Sequence, residues 1–348
     1  MATGAWPTIA DVTSRMTGAG EQHLIAEMLS QSVVLPEDMP VREASEMGGH
    51  EFAYRTSIPA GQWRQINMGI PYSKSTTGKA RVGLGTLEDY SQVDRLLAEM
   101  TGDIGEFRES EDVAFLEGMG QTAEQTYWYG NTAANPAEFI GLSTYYNTVS
   151  TANAQNAVNV IDGGGTGSSN CSIWLCCWGM RTGYQIYPRG TKAGLVMEDK
   201  GDTVPGYDSL GNRFEAYTTW FRHMMGLCIE DWRYFGRIAN IDVTNAGLAG
   251  TIPLDIFATI RQLLLFPPHL TRSTSGITKT DAPNDSAPGI RPVIYVCRTG
   301  RHWMDVQAMR DRNVLIRLED YAGKPTMGID EIPIKVSDQL LTTESRVV

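Results

Sequence analysis

HEFAYRTSIPAGQWRQINMGIPYSKSTTGKARVGLGT (His50 to Thr86), followed closely by SQVDRLLAEMTGDIGEFRESEDVAFLEGMGQTAEQT (Ser91 to Thr126), is the stretch on which the fold turns. In the first segment Phe52 alternates with Tyr54, and Trp63 with Gln65 and Asn67, while Ser73–Gly78 (SKSTTG) has the composition of a turn. We read a long two-stranded hairpin. Arms of about 15 residues at about 3.3 Å each give an excursion of roughly 50 Å. A compact 200-residue body has a radius of gyration of only about 16 Å, so such a ribbon projects beyond its own subunit. A two-stranded hairpin is marginal in water, and this one must lean on something outside the subunit.

In the second segment the apolar period changes from two to about 3.6. Val93, Leu96, Leu97, Met100, Ile104, Phe107, Ala114, Phe115 and Met119 fall near one stripe, with Ser91 as the cap. The spacing predicts a helix from Gln92 to Thr126, about 52 Å long if unbroken, with Gly102 and Gly105 as the places where it bends.

Upstream, residues 1–47 hold one short helical pattern, Glu21–Leu29, and little that could form a core, so this segment reads as an arm. Downstream, Tyr127–Asn170 is rich in Asn, Gly, Ala and Ser and is expected to be largely loop. SIWLCCWG (Ser172–Gly179) then reads as a buried strand, followed by a turn-rich stretch, Ile186–Asp202. Phe214, Ala216, Thr218 and Trp220 form one alternating run; Leu227, Ile229, Trp232 and Tyr234 form another. Pro253 opens an amphipathic helix carrying Ile256, Ile260, Leu263 and Leu264, and Pro267-Pro268 stops it. A strand at Val293–Cys297, a helix from Arg301 to about Asp311, and strand alternation at Ile332, Ile334 and Val336 complete an α+β chain without internal repeats.

The 348 residues suffice for about two domains and a sizeable core. A net charge of −11 argues against a protein whose main work is gripping a phosphate backbone. No basic residue precedes Arg15, and the longest apolar run, Ile173–Trp178, falls far short of the roughly 18–20 residues of a spanning helix, so neither a secretory signal nor a membrane partner is expected. The five cysteines (Cys171, Cys176, Cys177, Cys228, Cys297) lack CxxC spacing and read as buried free thiols.

The motifs that would carry chemistry are missing. IDGGGTGSSN (Ile161–Asn170) is Gly-rich, but it fits neither the dinucleotide fingerprint nor a P-loop, and it reads as a flexible loop. His23, His50, His223, His269 and His302 are scattered without metal-ligand spacing. There is no G-x-S-x-G elbow. The acid pairs Glu198-Asp199, Glu230-Asp231 and Glu319-Asp320 could in principle serve a glycosidase, but solvated surface is the simpler reading. We therefore expect no enzyme, and no catalytic, cofactor-binding or metal site. The cations of the ribbon, Arg55, Arg64, Lys74, Lys79 and Arg81, are expected to make intersubunit contacts rather than a nucleic-acid patch.

The order of arm, projecting hairpin, long helix and mixed domain resembles the Hong Kong 97-like fold of tailed-bacteriophage major capsid proteins. YWYGNTAANPAEFIGLSTYYN (Tyr127–Asn147), VNVIDGGGTGSSNCSIWLCCWG (Val158–Gly179), IYPRGTKAGLVMEDKGD (Ile186–Asp202) and WFRHMMGLCIEDWRYFGRIANID (Trp220–Asp242) are similar to those of short-tailed phages of the epsilon15 kind and their long-tailed relatives. The resemblance implies an N-terminal arm (1–47), an E-loop (48–90), a P-domain with its spine helix (91–136), an A-domain with inserted strands (137–325), and a C-terminal return to the P-domain (326–348). It implies a virion protein, assembled in the bacterial host cytoplasm, that forms hexamers and pentamers and then an icosahedral shell. The partners implied are a portal, a decoration or cement protein, and packaged double-stranded DNA held by weak contacts.

Some members weld subunits through a Lys–Asn isopeptide bond assisted by a buried acid. Lys74 and Lys79 lie in the ribbon, but no Asn or acid here matches that motif, so the chemistry is not carried over. Others begin with a long scaffolding segment; here the ribbon starts by residue 50, and a separate scaffolding protein is expected. An encapsulin-like compartment is the alternative within the same fold, and an acid-pair glycosidase a remote one.

Overall fold

In a computed structural model, the structure describes residue 7 and residues 33–202, 204–208, 210–243, 255–267, 290–310, 317–321, 324–329 and 332–348. The helix expected at Glu21–Leu29 lies outside the described residues, as does most of the expected arm. A single turn, α1 (Leu35–Asp38), leads into β1 (Val41–Glu43), the ribbon strands β2 (Gly49–Ser57) and β3 (Thr76–Gly83), and β4 (Gly85–Asp94). Helices α2 (Arg95–Met100), α3 (Ile104–Tyr129) and the short α4 (Leu142–Tyr145) follow. Next come β5 (Val160–Asp162), β6 (Asn170–Trp178), β7 (Gly183–Tyr187), β8 (Leu195–Gly201), a small pair β9 (Gly206–Tyr207) and β10 (Arg213–Phe214), then β11 (Ala216–Ile229) and β12 (Phe235–Asp242). After α5 (Ile256–Leu263), β13 (Arg291–Val296) and α6 (Arg298–Arg310), strands β14 (Arg317–Tyr321), β15 (Lys324–Ile329) and β16 (Ile332–Val336) lead to the tail.

β6 is buried at every position, as its unbroken apolar run requires of a strand covered on both faces. It lies inside a seven-stranded sheet of order β14-β15-β16-β13-β6-β12-β5, antiparallel to both neighbours. Around it Trp128 meets Trp174 and Tyr295 at ring-centroid distances of 5.8 and 5.4 Å, and Trp178 meets Phe235 at 5.1 Å. All five cysteines are buried and free. The second sheet is organised by the 14-residue β11, which pairs with β7 through Gly226–Ile229, and with β4 and β8 through its first ten residues.

Several expectations change. Of the two alternating runs, Ala216, Thr218, Trp220, Leu227 and Ile229 belong to one strand, β11, while Phe214 lies in β10 and Trp232 and Tyr234 form a 3-10 turn beyond it. Arg222 and His223 interrupt the apolar pattern of β11 but not its pairing with Glu88 and Leu87. The helix expected from Gln92 starts later, because Ser91, Gln92 and Val93 pair with Thr219, Thr218 and Tyr217 as the end of β4. Ser91 is a buried strand residue rather than a cap. Asp94 caps α2 by accepting from the Leu96 amide, and Asp103 caps α3 by accepting from those of Gly105 and Glu106. Between them Gly102 takes φ +86°, which favours glycine and separates the two helices. Leu96 and Met100 are exposed, while α3 runs on to Tyr129, so that Tyr127 and Trp128 are buried helical residues and not loop.

The boundaries expected at 136/137 and 325/326 both cut across sheets. β7, β8 and β11 share a sheet with β4, and β16 pairs in parallel with β13. The strand β16 thus joins the larger sheet rather than the one holding β4. Among the described residues no helix is long and apolar enough to cross a membrane.

The tail closes the core. Arg237 of β12, 4% exposed, donates to Glu344 at 2.8 Å, to Ser172 Oγ at 3.0 Å and to the Tyr146 carbonyl at 2.9 Å, and it lies over the Trp174 ring at 4.9 Å. Glu344, 5% exposed, also accepts from the hydroxyls of Tyr129 and Ser172. A second buried carboxylate, Glu124 of α3, accepts from the Val34 and Leu35 amides, Trp128 Nε1 and Ser337 Oγ, tying both ends of the described chain to α3; burial pushes its pKa up against the pull of those bonds.

Removing one member of a buried pair leaves the other charged and unpaired, at a cost of about 3–5 kcal/mol. Glu344→Ala should therefore lower the chain's unfolding free energy by about that amount in a urea titration; a loss under about 1 kcal/mol would show that Arg237 finds another partner or water. Burial also pushes the thiol of Cys228 up to about 12, and those of Cys176 and Cys177 up as well. Iodoacetamide at pH 8 should accordingly leave these three unmodified in the folded chain and alkylate all five after denaturation, as read by intact-mass spectrometry.

Candidate assembly interface

The ribbon is shorter and differently built than its pattern suggests. β2 and β3 pair from Gly49↔Gly83 to Ser57↔Thr76, which gives a reach of about 30 Å. Hydroxyl contacts of 2.7 Å between Thr56 and Thr76 and 2.8 Å between Ser57 and Thr76 close the paired part. Beyond them residues 58–75 form no strand, so Trp63, Gln65 and Asn67 do not alternate in a ladder; Pro59, Gly61, Gly69 and Pro71 punctuate the segment, and Asn67 has φ +67°. The expected SKSTTG turn is split, with Thr76–Gly78 in β3.

This tip is apolar, basic and open. Trp63 and Tyr72 are fully exposed, Ile58 and Ile66 more than 80% exposed, and Met68 and Ile70 about half exposed. The segment 58–75 contains no Asp or Glu. Single exposed apolar side chains are ordinary on a protein surface, but six in one projecting segment mark an interaction site.

The five ribbon cations divide into two groups. Lys79, opposite Ala53 in the ladder, pairs diagonally with Glu51 at 2.7 Å, and Arg81, opposite Glu51, pairs with Glu46 of the preceding turn at 3.1 Å. The Glu51–Lys79 contact holds the carboxyl below and the ammonium above their ordinary pKa values. Arg55, Arg64 and Lys74 are exposed and make no ion pair with any described residue. Sequence reasoning listed the cations together and missed the apolar side chains beside them; the signal was a Trp and several isoleucines in a stretch otherwise made of turn formers.

The first half of α3 has the opposite character. Asp103, Glu106, Glu109, Glu111, Asp112 and Glu117 fall within fifteen residues, against one base, Arg108, which is held by Asp199 at 2.5 Å. Val113 lies exposed among them.

The other sequence candidates have structural roles. A Cβ on Gly163 would lie 2.8 Å from the Ala239 carbonyl oxygen, and one on Gly165 2.6 Å from that of Asn240. The Gly-rich segment is therefore pinned by backbone bonds to a bulge in β12, and the expected flexible loop is a packed edge. Asp199 pairs with Arg108, Glu198 with Lys200, Glu230 with Arg42 and Asp231 with Arg233. The side chains of Glu319 and Asp320, and His23 and His269, lie outside the described residues. His223 faces Gln185, and His302 packs beside Trp303. Among the described residues no group of three or more His, Cys, Asp or Glu could hold a metal ion. A cavity of about 50 Å³ between Leu87, Ala123, Phe139 and Met225 is apolar and too small for a substrate.

Comparison with known proteins agrees with this geometry. The chain is 26% identical to the protein in a near-atomic-resolution structure of bacteriophage Epsilon15, with a TM-score of 0.70 over 99% of this chain and 98% of that one. The capsid of bacteriophage JBD30 shares the fold at 11% identity, with a TM-score of 0.50 over 96% of this chain and 99% of the other. No curated protein matches the chain. Residues 17–348 match the family described as Major capsid protein GP7, and to that family the chain belongs.

Proposed function

We propose that this major capsid protein assembles through hexamers and pentamers of itself into a closed icosahedral shell around packaged double-stranded DNA, with the ribbon as the E-loop that engages the neighbouring copy. The observation that carries the contact is the acid-free tip, residues 58–75, which exposes Trp63, Ile66 and Tyr72 beside cations that make no ion pair with any described residue. Burying those side chains stabilises an assembly by about 25 cal/mol per Å² of apolar surface.

Of the five ribbon cations, Arg55, Arg64 and Lys74 make the intersubunit contacts in this reading, whereas Lys79 and Arg81 stiffen the ribbon through Glu51 and Glu46. The acidic front of α3, with Asp103, Glu106 and Glu109, is the complementary surface on the next copy. Charge pairing there sets register and approach more than raw affinity.

The domain assignment follows the sheets rather than the sequence order: the sheet of β4, β7, β8 and β11 with α2 and α3 serves as the P-domain, and the sheet around β6 with α5 and α6 as the A-domain. Residues 1–47 serve as the arm. A separate scaffolding protein, a portal, and a decoration or cement protein are the partners that such a shell calls for, with assembly in the host cytoplasm and the virion as destination. The charge of −11 per copy favours an inner wall that DNA slides past instead of gripping. With Glu198-Asp199 and Glu230-Asp231 committed to ion pairs and the five thiols buried, the chain in this reading acts as a container and not as an enzyme. Membership of a capsid family leaves the encapsulin-like and glycosidase alternatives without support.

Reversing Arg55, Arg64 and Lys74 to Glu should leave circular dichroism and the thermal midpoint nearly unchanged while particle yield, counted by negative-stain imaging, falls at least tenfold; normal assembly at physiological salt would remove these residues from the interface. Because Lys79 is engaged by Glu51 and no isopeptide motif is present, mature particles boiled in detergent and reductant should release one band near 38 kDa, and a ladder of multimers would contradict this.

A further inference from the structure

The root of the ribbon holds a buried histidine. His50 begins the ordered ladder of β2, opposite Val82, and is buried. Its Nδ1 accepts from the Ser45 amide at 3.1 Å, and its Nε2 lies 2.9 Å from the Tyr184 hydroxyl of β7. That hydroxyl donates to Glu230 Oε1 at 2.6 Å, so its oxygen is left to accept, from Nε2–H of His50 and from Arg42 Nη1 at 3.2 Å. The network therefore assigns one neutral tautomer, with the proton on Nε2. Ser45 also accepts from the Glu51 amide at 2.7 Å, so the turn before β2 and the first residues of the ladder are fastened through the same pair of residues.

Resting on the E-loop reading, we propose that His50 is a pH-sensitive pivot that fixes the ribbon's angle to the body when neutral and frees it when protonated. A second proton can go only to Nδ1, where it would point at the Ser45 N–H; an acceptor becomes a donor and the bond is lost. The surroundings oppose the cation. From β1 Arg42 reaches toward Tyr184 and Glu230, and its charge adds to the burial that holds the imidazole below its ordinary pKa. Glu230, beyond the end of β11, pulls the other way but is shared by Arg42 and Tyr184. Cys228 of β11 lies beside Tyr184 as a neutral thiol, and on the ribbon itself Glu51 and Glu46 are engaged by Lys79 and Arg81.

The sign follows from linkage. A histidine with a folded pKa below 6.5 contributes its full stabilisation above about pH 6.5 and loses it as pH falls through the window beneath that value. The ribbon should thus be set at neutral pH and loosen in mild acid while the sheet around β6 is unaffected.

Amide hydrogen exchange of the full chain, corrected for intrinsic rate, tests this at Ser45 and Glu51. From pH 7.5 to 5.0 the protection of both should fall about tenfold or more, with no change at Ile173–Cys177. In His50→Asn, which keeps an acceptor near the position of Nδ1 but does not titrate, the fall should vanish. Flat protection in the wild type, or an unchanged fall in His50→Asn, would overturn the pivot. Should that variant not fold, ¹⁵N shifts of the wild-type imidazole decide: Nδ1 must be unprotonated at pH 7.5 and titrate with the midpoint of amide release, and a proton on Nδ1 at neutral pH refutes the proposal. Imaging the same preparations for shells reads the capsid function separately, so failure of one does not pass for failure of the other.

Discussion

A guanidinium and a carboxylate withdrawn almost completely from water, Arg237 and Glu344, set the terms for the larger half of the molecule. Each charge costs several kcal/mol to desolvate, and their attraction offsets this only because the remaining donors and acceptors are met by Ser172, Tyr146 and Tyr129. One contact thus joins the last turn of α3, the central strand β6, its neighbour β12 and the tail. Glu344 is 107 residues from Arg237 and 215 from Tyr129, so the network can complete only after the sheet has formed around it. The unpaired intermediate carries an exposed or half-buried charge, which discourages compact alternatives that bring the tail elsewhere.

The ribbon obeys a different rule. It has little core to lean on beyond Val82, Phe52 and the side chains of β7 and β11 at its root, so its order comes from ladder bonds, two cross-strand ion pairs and paired hydroxyls. Exposed ion pairs contribute about 0–1 kcal/mol each, enough to bias a ribbon's shape but not to hold it alone. Paired at the base and irregular at the end, it presents an apolar tip on a directed stalk, and the fixed direction of the stalk lowers the entropy lost when the tip is captured.

Much of this was legible in the sequence, for reasons that differ by element. β6 could be read from its composition because a continuous apolar run between turn formers admits few alternatives, and the burial of the five thiols followed from the same reasoning. α5 was readable from the stripe of Ile256, Ile260 and Leu263 between prolines, and the structure adds Asp255 as its cap. The start of the long helix was not, since Gln92, Val93 and Asp94 satisfy either period and only pairing with β11 decides between them. The tip misled in the opposite way: Trp63, Gln65 and Asn67 alternate in the sequence, but between two prolines and two glycines no partner strand can form. For the Gly-rich segment, composition indicated freedom of the backbone, whereas the structure uses the missing Cβ for close approach to β12. The site itself was half legible: the cations were visible, but which of them already had partners depended on the register of two strands.

The open tip has a consequence for the cell that makes the protein. An unassembled copy carries a tryptophan, a tyrosine, three isoleucines and a methionine exposed on this stalk. Such a molecule is safe only while its concentration stays below that at which tips find the wrong surfaces, including one another. Synthesis has to be matched to consumption, and a transient escort that covers the tip would widen the interval between translation and incorporation. If the shell buries these side chains as proposed, they also set a limit on how long, and in what numbers, its building blocks can wait.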